Sequence, residues 1–155
     1  MPGPKGDVSL LFDLFVASNR VRRLIEMFAA RAPLRPDEYA VYSVLFDLGP
    51  MTATEMHRAL GMPLTTVLDH LRVMDSRHHL RRRRHPRDGR ARQLALTDEG
   101  LEAHRRTSEI WTPLHLSLES TLGMPVNEAR RTLRAVGDAA TEALRKEERR
   151  LELTG

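Results

Sequence analysis

Thr52-Ala-Thr-Glu55 is a capping box, in which the Thr52 hydroxyl and the Glu55 carboxylate satisfy backbone amides that a helix start would otherwise leave bare. A short helix therefore begins there. Gly61 stops it, since glycine takes up the left-handed geometry of a helix end at little steric cost. Pro63 then sits at the first position of the next helix, where a missing amide is no loss. That helix carries Leu64, Val67, Leu71 and Met74 on one stripe and leaves Thr65, Thr66, Asp69, His70 and Arg72 exposed on the others.

The flanking segments are equally well punctuated. Leu80 to Arg84 reads as a strand, His85-Pro-Arg-Asp-Gly89 as a turn with Asp-Gly supplying the positive backbone angles, and Arg90 to Leu96 as the returning strand. Leu94 and Leu96 face the core in this reading, and the arginines face out. Upstream, a helix opens at Pro36 with Asp37 and Glu38 toward the positive end of its dipole. It runs through Tyr39, Tyr42, Leu45 and Phe46 and ends at Gly49-Pro50. Before it, Leu11, Leu14, Phe15, Val21, Ile25 and Phe28 paint one long helix from about Val8 to Ala30, whose apolar stripe suggests packing beyond its own domain.

Downstream, Thr97-Asp-Glu caps a helix in which His104, Trp111, His115, Leu118 and Leu122 keep one side largely apolar as far as Gly123; Pro113 predicts a kink in it. A last helix starts near Pro125, turns Ala129, Leu133, Val136, Ala140 and Leu144 inward, and frays in the charged tail from Lys146 to Arg150. A short capped helix followed at once by a second helix is a helix-turn-helix, and the hairpin after it is a wing. The fold class is mainly α with a small β-hairpin.

Charge is distributed as unevenly as structure. Between Arg72 and Arg92 stand nine arginines and two acids, Asp75 and Asp88, whereas the whole chain carries a net charge of only +4 and is mildly acidic elsewhere. Positive charge confined to one element is the footprint of a polyanion-binding surface, and nucleic acid is the polyanion that suits forked guanidinium groups. Lys5 and Lys146 are the only lysines.

Composition excludes several alternatives. With no cysteine, there is no disulfide scaffold, thiolate zinc site or thiol redox switch. No run approaches the roughly 18 to 20 apolar residues of a membrane span, and Met1 to Lys5 opens no signal peptide, so the protein reads as cytoplasmic with no membrane partner. His104 and His115 lie about 16 Å apart along a helix axis, too far to share an ion, and His78-His79 has no chelating spacing, so no metal and no cofactor is expected. Neither a glycine-rich phosphate loop nor a nucleophile elbow is present, and the chain does not read as an enzyme.

Asp88-Gly89-Arg90, followed by Leu94-Ala-Leu-Thr-Asp-Glu-Gly100 and preceded by Leu60-Gly61 and Thr66-Val67, resembles the MarR family of winged helix-turn-helix regulators, named for multiple antibiotic resistance. The match runs from Pro36 to Gly100 by motif, and the end helices fit by order. The resemblance implies a homodimer on a palindromic DNA site, acting as a ligand-responsive repressor. Residues 1–35 and 98–155 would form the helical dimerisation region, and 36–97 the winged DNA-binding domain.

It implies major-groove-facing positions for Thr65, Thr66, Asp69 and His70 on the recognition helix, and Leu68 and Arg72 are further candidate contacts there; Leu68 and Asp69 depart from the polar and basic residues that many members carry. Asp69 would accept from cytosine N4 and Leu68 would touch a thymine methyl. Arg82, Arg84, Arg87, Arg90 and Arg92 would contact DNA from the wing, with Arg90 in the minor groove. Asp88 would brace the wing by pairing with a basic neighbour. His79 stands where the family has a glycine, so the left-handed residue between recognition helix and wing is expected there. Phe15, Tyr42, Trp111 and His115 form the candidate cleft for a small aromatic or phenolic effector. Two other readings of the basic surface stay open at this point: a non-specific architectural DNA-binding protein, and a winged-helix module that binds a protein partner.

Overall fold

The computed structural model describes residues 9–88 and 90–153. Val8, the expected start of the first helix, and Gly89, the expected turn glycine, lie outside the described residues. Six helices and one hairpin follow in the anticipated order: α1 (Leu10–Ala29), α2 (Pro36–Leu48), α3 (Ala53–Leu60), α4 (Leu64–Ser76), β1 (Leu80–Arg84), β2 (Arg92–Leu96), α5 (Asp98–Ser120) and α6 (Val126–Glu152).

Local chemistry sets the ends of the central helices. The Thr52 hydroxyl accepts the Glu55 amide at 3.2 Å and the Glu55 carboxylate accepts the Thr52 amide at 2.7 Å, so the capping box is closed from both sides. Gly61 takes the left-handed cap of α3, at φ 64°. Pro63 is the residue before α4 rather than its first, with extended ψ of 142°.

Packing then fixes α2, α3 and α4 around one core. Val41, Met56 and Val67 are fully buried, and Tyr42, Leu71, Met74 and Leu94 nearly so. Each such apolar side chain contributes about 1.5 to 3 kcal/mol by leaving water. Leu64, expected in the inward stripe, is 39% exposed at the first position of α4. The hairpin joins this core through Leu94, whose amide and carbonyl both pair with Met51 in the α2–α3 loop, at 2.8 and 3.2 Å. A wing strand thus gains a second backbone partner from the helix-turn-helix itself.

The chain divides into two compact units between Leu114 and His115, inside α5. In the first unit α1 buries no residue, and Leu11, Phe15 and Met27 are mostly exposed. In the second, α6 also buries none. Its stripe of Ala129, Leu133, Val136, Ala140 and Leu144, expected inward, holds no buried residue: Ala129 and Val136 are half-buried, and Leu133 is 66% exposed. Nor does α6 fray at Lys146: ion pairs one turn apart, such as Lys146 with Glu142 and Arg150 with Glu147, carry the helix on to Glu152.

Candidate nucleic-acid interface

Of the residues expected on the outward face of α4, Thr65, Leu68, Asp69 and Arg72 are exposed and Thr66 is half-buried. His70 does not belong with them. It is buried, its Nε2 lying 3.8 Å from Asp37 Oδ2 on α2. The signal was in the spacing: Val67, His70, Leu71 and Met74 stand at i, i+3, i+4 and i+7, which is the inward stripe. His70 thus anchors the helix, and Thr65, Leu68, Asp69 and Arg72 form its outward face. Asp69 is paired one turn along with Arg72.

The hairpin is antiparallel with Leu80 opposite Leu96, Arg82 opposite Leu94 and Arg84 opposite Arg92. Residues directly opposed share a face of the sheet. Arg82, Arg84 and Arg92 therefore lie on the leucine face, extended past the core toward the tip, and only Arg81 and Arg83 lie on the other; the expectation that all arginines turn away from the leucines fails. The reason is the period of two: every second residue of Leu80–Arg84 follows Leu80. β2 also begins at Arg92 rather than Arg90, because Arg90 and Ala91 belong to the turn.

Arg82 reaches back to pair with Asp75 on the last turn of α4. Among the described residues, Arg81, Arg83, Arg84, Arg87, Arg90 and Arg92 have no acidic partner, and all are exposed. Arg84 against Arg92 is a cross-strand pair of like charges, an arrangement that destabilises a hairpin unless an anion lies over it.

Asp88 does brace the turn, but through the backbone. Its carboxylate accepts the Arg90 amide at 2.9 Å, and it makes no ion pair among the described residues. His85 is a second brace that sequence reasoning missed: its Nδ1 accepts the amides of Arg87 and Asp88, at 3.2 and 3.1 Å. Its position at the strand end, three residues before Asp88, was the available clue.

The junction between α4 and the wing is built on histidines. The left-handed residue is His78, at φ 59°, not His79. Placing the turn one residue earlier frees His79 to point inward, where its Nδ1 meets the Tyr42 hydroxyl at 2.8 Å. Burial raises the Tyr42 pKa, and burial together with the nearby Arg77 guanidinium lowers that of His79. Both shifts favour neutral partners, and the tautomer of His79 sets which of the two donates. Beside them Glu38, buried, takes the Arg35 amide at 2.9 Å and pairs with Arg77 at 3.1 Å, tying the start of α2 to the end of α4. Thr97 closes the junction from α5: its hydroxyl donates to the His78 carbonyl and accepts the Gly100 amide, at 2.8 and 3.2 Å.

Of the expected cleft residues, the three in the first unit have different surroundings. Tyr42 is in the winged-helix core, Phe15 is exposed on α1, and Trp111 is buried and stacked on Tyr39 with ring centroids 6.1 Å apart. His115 is exposed in the other compact unit. A groove of about 520 Å³ runs along α5. Phe46, Leu101 and His104 form its apolar wall, and Asp98, Glu102, Arg105 and Glu109 its charged rim. His104 is stacked between Phe46 and Tyr39, and burial lowers its pKa. Among the described residues no three His, Asp or Glu side chains are grouped to hold a metal ion, and no helix is long and apolar enough to cross a membrane.

No protein-family model matches the chain, and no curated protein sequence does. Solved structures do. The M. tuberculosis transcriptional regulator MosR, in complex with DNA, superposes with a TM-score of 0.71 at 18% identity over 88% of this chain and 98% of its own. The repressor CouR, bound to a 23-mer DNA duplex, gives 0.67 at 25% identity over 86% and 92%. PcaV from Streptomyces coelicolor, in complex with its natural ligand, gives 0.66 at 21% over 89% and 99%. These are regulators of the MarR family. The chain has the MarR-type winged-helix fold. In this MarR-type frame α3 and α4 are the helix-turn-helix and β1–β2 the wing, so the outward face of α4 and the unpaired arginines of the hairpin belong to adjacent parts of one winged-helix unit.

Proposed function

We propose that this protein is a sequence-specific DNA-binding transcriptional regulator, and not an enzyme, working in the cytoplasm as a homodimeric repressor on a palindromic operator. The observation that carries the reading is the set of exposed wing arginines without acidic partners, held next to a recognition helix whose outward face is Thr65, Leu68, Asp69 and Arg72. Arg84, Arg87, Arg90 and Arg92 supply phosphate and minor-groove contacts, and the helix face supplies base contacts in the major groove. Residues 36–97 are the DNA-binding part. Residues 1–35 and 98–155 are the dimerisation region, a reading supported by the uncovered leucines of α1 and α6.

A small aromatic effector fits the reading, and the α5 groove is its best-supported place. Phe46 and His104, stacked with ring centroids 4.5 Å apart, offer an aromatic wall. The rim, with three acids to one arginine, favours a neutral or cationic molecule over a phenolate.

The test is selection of bound duplexes from a random DNA pool at about physiological salt, where non-specific phosphate binding is weakened. An enriched palindrome is the expected result. Retention without enrichment would make the protein an architectural DNA binder, and no retention would leave a protein-interaction module.

A further inference from the structure

Three arginines share the leucine face of the hairpin, and one of them differs from the other two. Arg84 and Arg92, opposed near the tip, have no acidic partner among the described residues, whereas Arg82, one position closer to the core along that face, is held by Asp75. The two side chains come from different elements, the last turn of α4 and the first half of β1. Both remain substantially exposed, at 42% for Asp75 and 45% for Arg82, so a phosphate has access to the same guanidinium. Arg82 and Arg92 also line a cleft of about 210 Å³ with Thr52, Thr54, Leu68 and Leu71, between the start of α3, the recognition helix and the wing. The pair thus sits where the angle between the recognition helix and the wing is set.

Asp75 is one of only two acids in the arginine-rich stretch, and the other, Asp88, is occupied by the turn it braces. Phosphate contacts carry affinity for any sequence, whereas base contacts carry discrimination. A carboxylate that competes with phosphate for one guanidinium weakens binding to arbitrary DNA, and as a bridge it also fixes wing against helix. Surface pairs of this exposure are weak, so the restraint is a bias rather than a lock.

We propose that Asp75 is a positioning and specificity-determining residue, which holds Arg82 against the recognition helix and away from the DNA backbone, so lowering affinity for DNA of arbitrary sequence. This rests on the DNA-binding reading above.

The experiment compares the full-length protein with Asp75→Asn, Arg82→Gln and the double variant, each titrated with a random-sequence 30-base-pair duplex across a sodium chloride series. Asp75→Asn is expected to tighten binding several-fold near physiological salt and to steepen the plot of log K against log salt by about 0.9 for each arginine released to a phosphate. In the Arg82→Gln background the same substitution should move neither. An unchanged slope overturns the proposal, and so does equal steepening in the Arg82→Gln background, which would mean that the lost negative charge acts without Arg82.

Urea unfolding of the same four proteins, without DNA, reads the ion pair separately. A coupling of about two- to five-fold in the unfolding constant is expected, and additivity would overturn the restraint itself. A wild-type protein that binds no duplex would overturn the DNA-binding reading, and the proposed specificity role with it, while the unfolding cycle still reports whether Asp75 holds Arg82.

Discussion

Gly100 has a task that its position near the start of α5 does not suggest. A Cβ built there would stand 2.5 Å from the His79 carbonyl oxygen, where ordinary contact begins near 3.4 Å, so Gly100→Ala forces that backbone apart by close to 1 Å. The same oxygen accepts the Thr97 amide at 3.1 Å, a bond that such a displacement breaks. Overpacking costs about 1 to 3 kcal/mol and the lost hydrogen bond about 1 kcal/mol. Alanine returns about 1 kcal/mol over glycine within a helix. The net expectation is a loss of about 1 to 3 kcal/mol. With a urea slope of about 1 to 3 kcal/mol per molar, the unfolding midpoint should fall by roughly 1 M at fixed protein concentration. Hydrogen exchange at the Thr97 amide should accelerate with it. A midpoint equal to or above that of the parent protein, with Thr97 still protected, would show that α5 approaches the junction less closely than the structure has it.

Arg90→Ala should weaken operator binding and leave the unfolding curve unchanged, since the exposed Arg90 side chain has no acidic partner among the described residues; equal affinity at near-physiological salt would remove it from the interface. Asp69→Ala should change which base is preferred at one position more than it changes overall affinity, read by repeating the duplex selection, and a uniform change across all sequences would argue against base contact by Asp69. Stability should fall as pH is lowered below about 6.5. The folded-state pKa values of His79 and His104 lie under the ordinary histidine value of 6.5 because of burial, so the unfolded chain binds more protons, and the stability present above 6.5 is lost as pH descends through the folded values. Urea midpoints at pH 7.5 and 5.5 check this, and His79→Gln should reduce the difference.

Much of this fold was legible because helix ends are written locally. Thr52 and Glu55 cap a helix whatever lies around them, and Gly61 ends it by its own backbone freedom. The wing was legible for a similar reason: alternation brings Leu94 and Leu96 inward and sets two short strands either side of a turn, whose far end the sequence places two residues early. The misreadings were of long-range or single-residue matters. His70 looks like an outward polar residue until α2 brings Asp37 against it, and Glu38 looks like a dipole-complementing acid until Arg77 arrives from the far end of α4. The left-handed turn was placed one residue late, because histidine occupies both His78 and His79 and composition does not choose between them. The assumption that all arginines avoid the leucine face ignored the strand period, and the expected effector cleft gathered aromatic residues that the topology assigns to different surroundings.

The facing pair Arg84 and Arg92 makes ionic strength act on the wing with two opposite signs. In the free protein added salt screens their repulsion and steadies the hairpin. Against a bound polyanion the same salt restores the counterions that binding released, and loosens the complex. Over one salt series the repulsion at the wing tip and the affinity for a polyanion should therefore both decline, the first firming the hairpin end and the second loosening the complex of the proposed function.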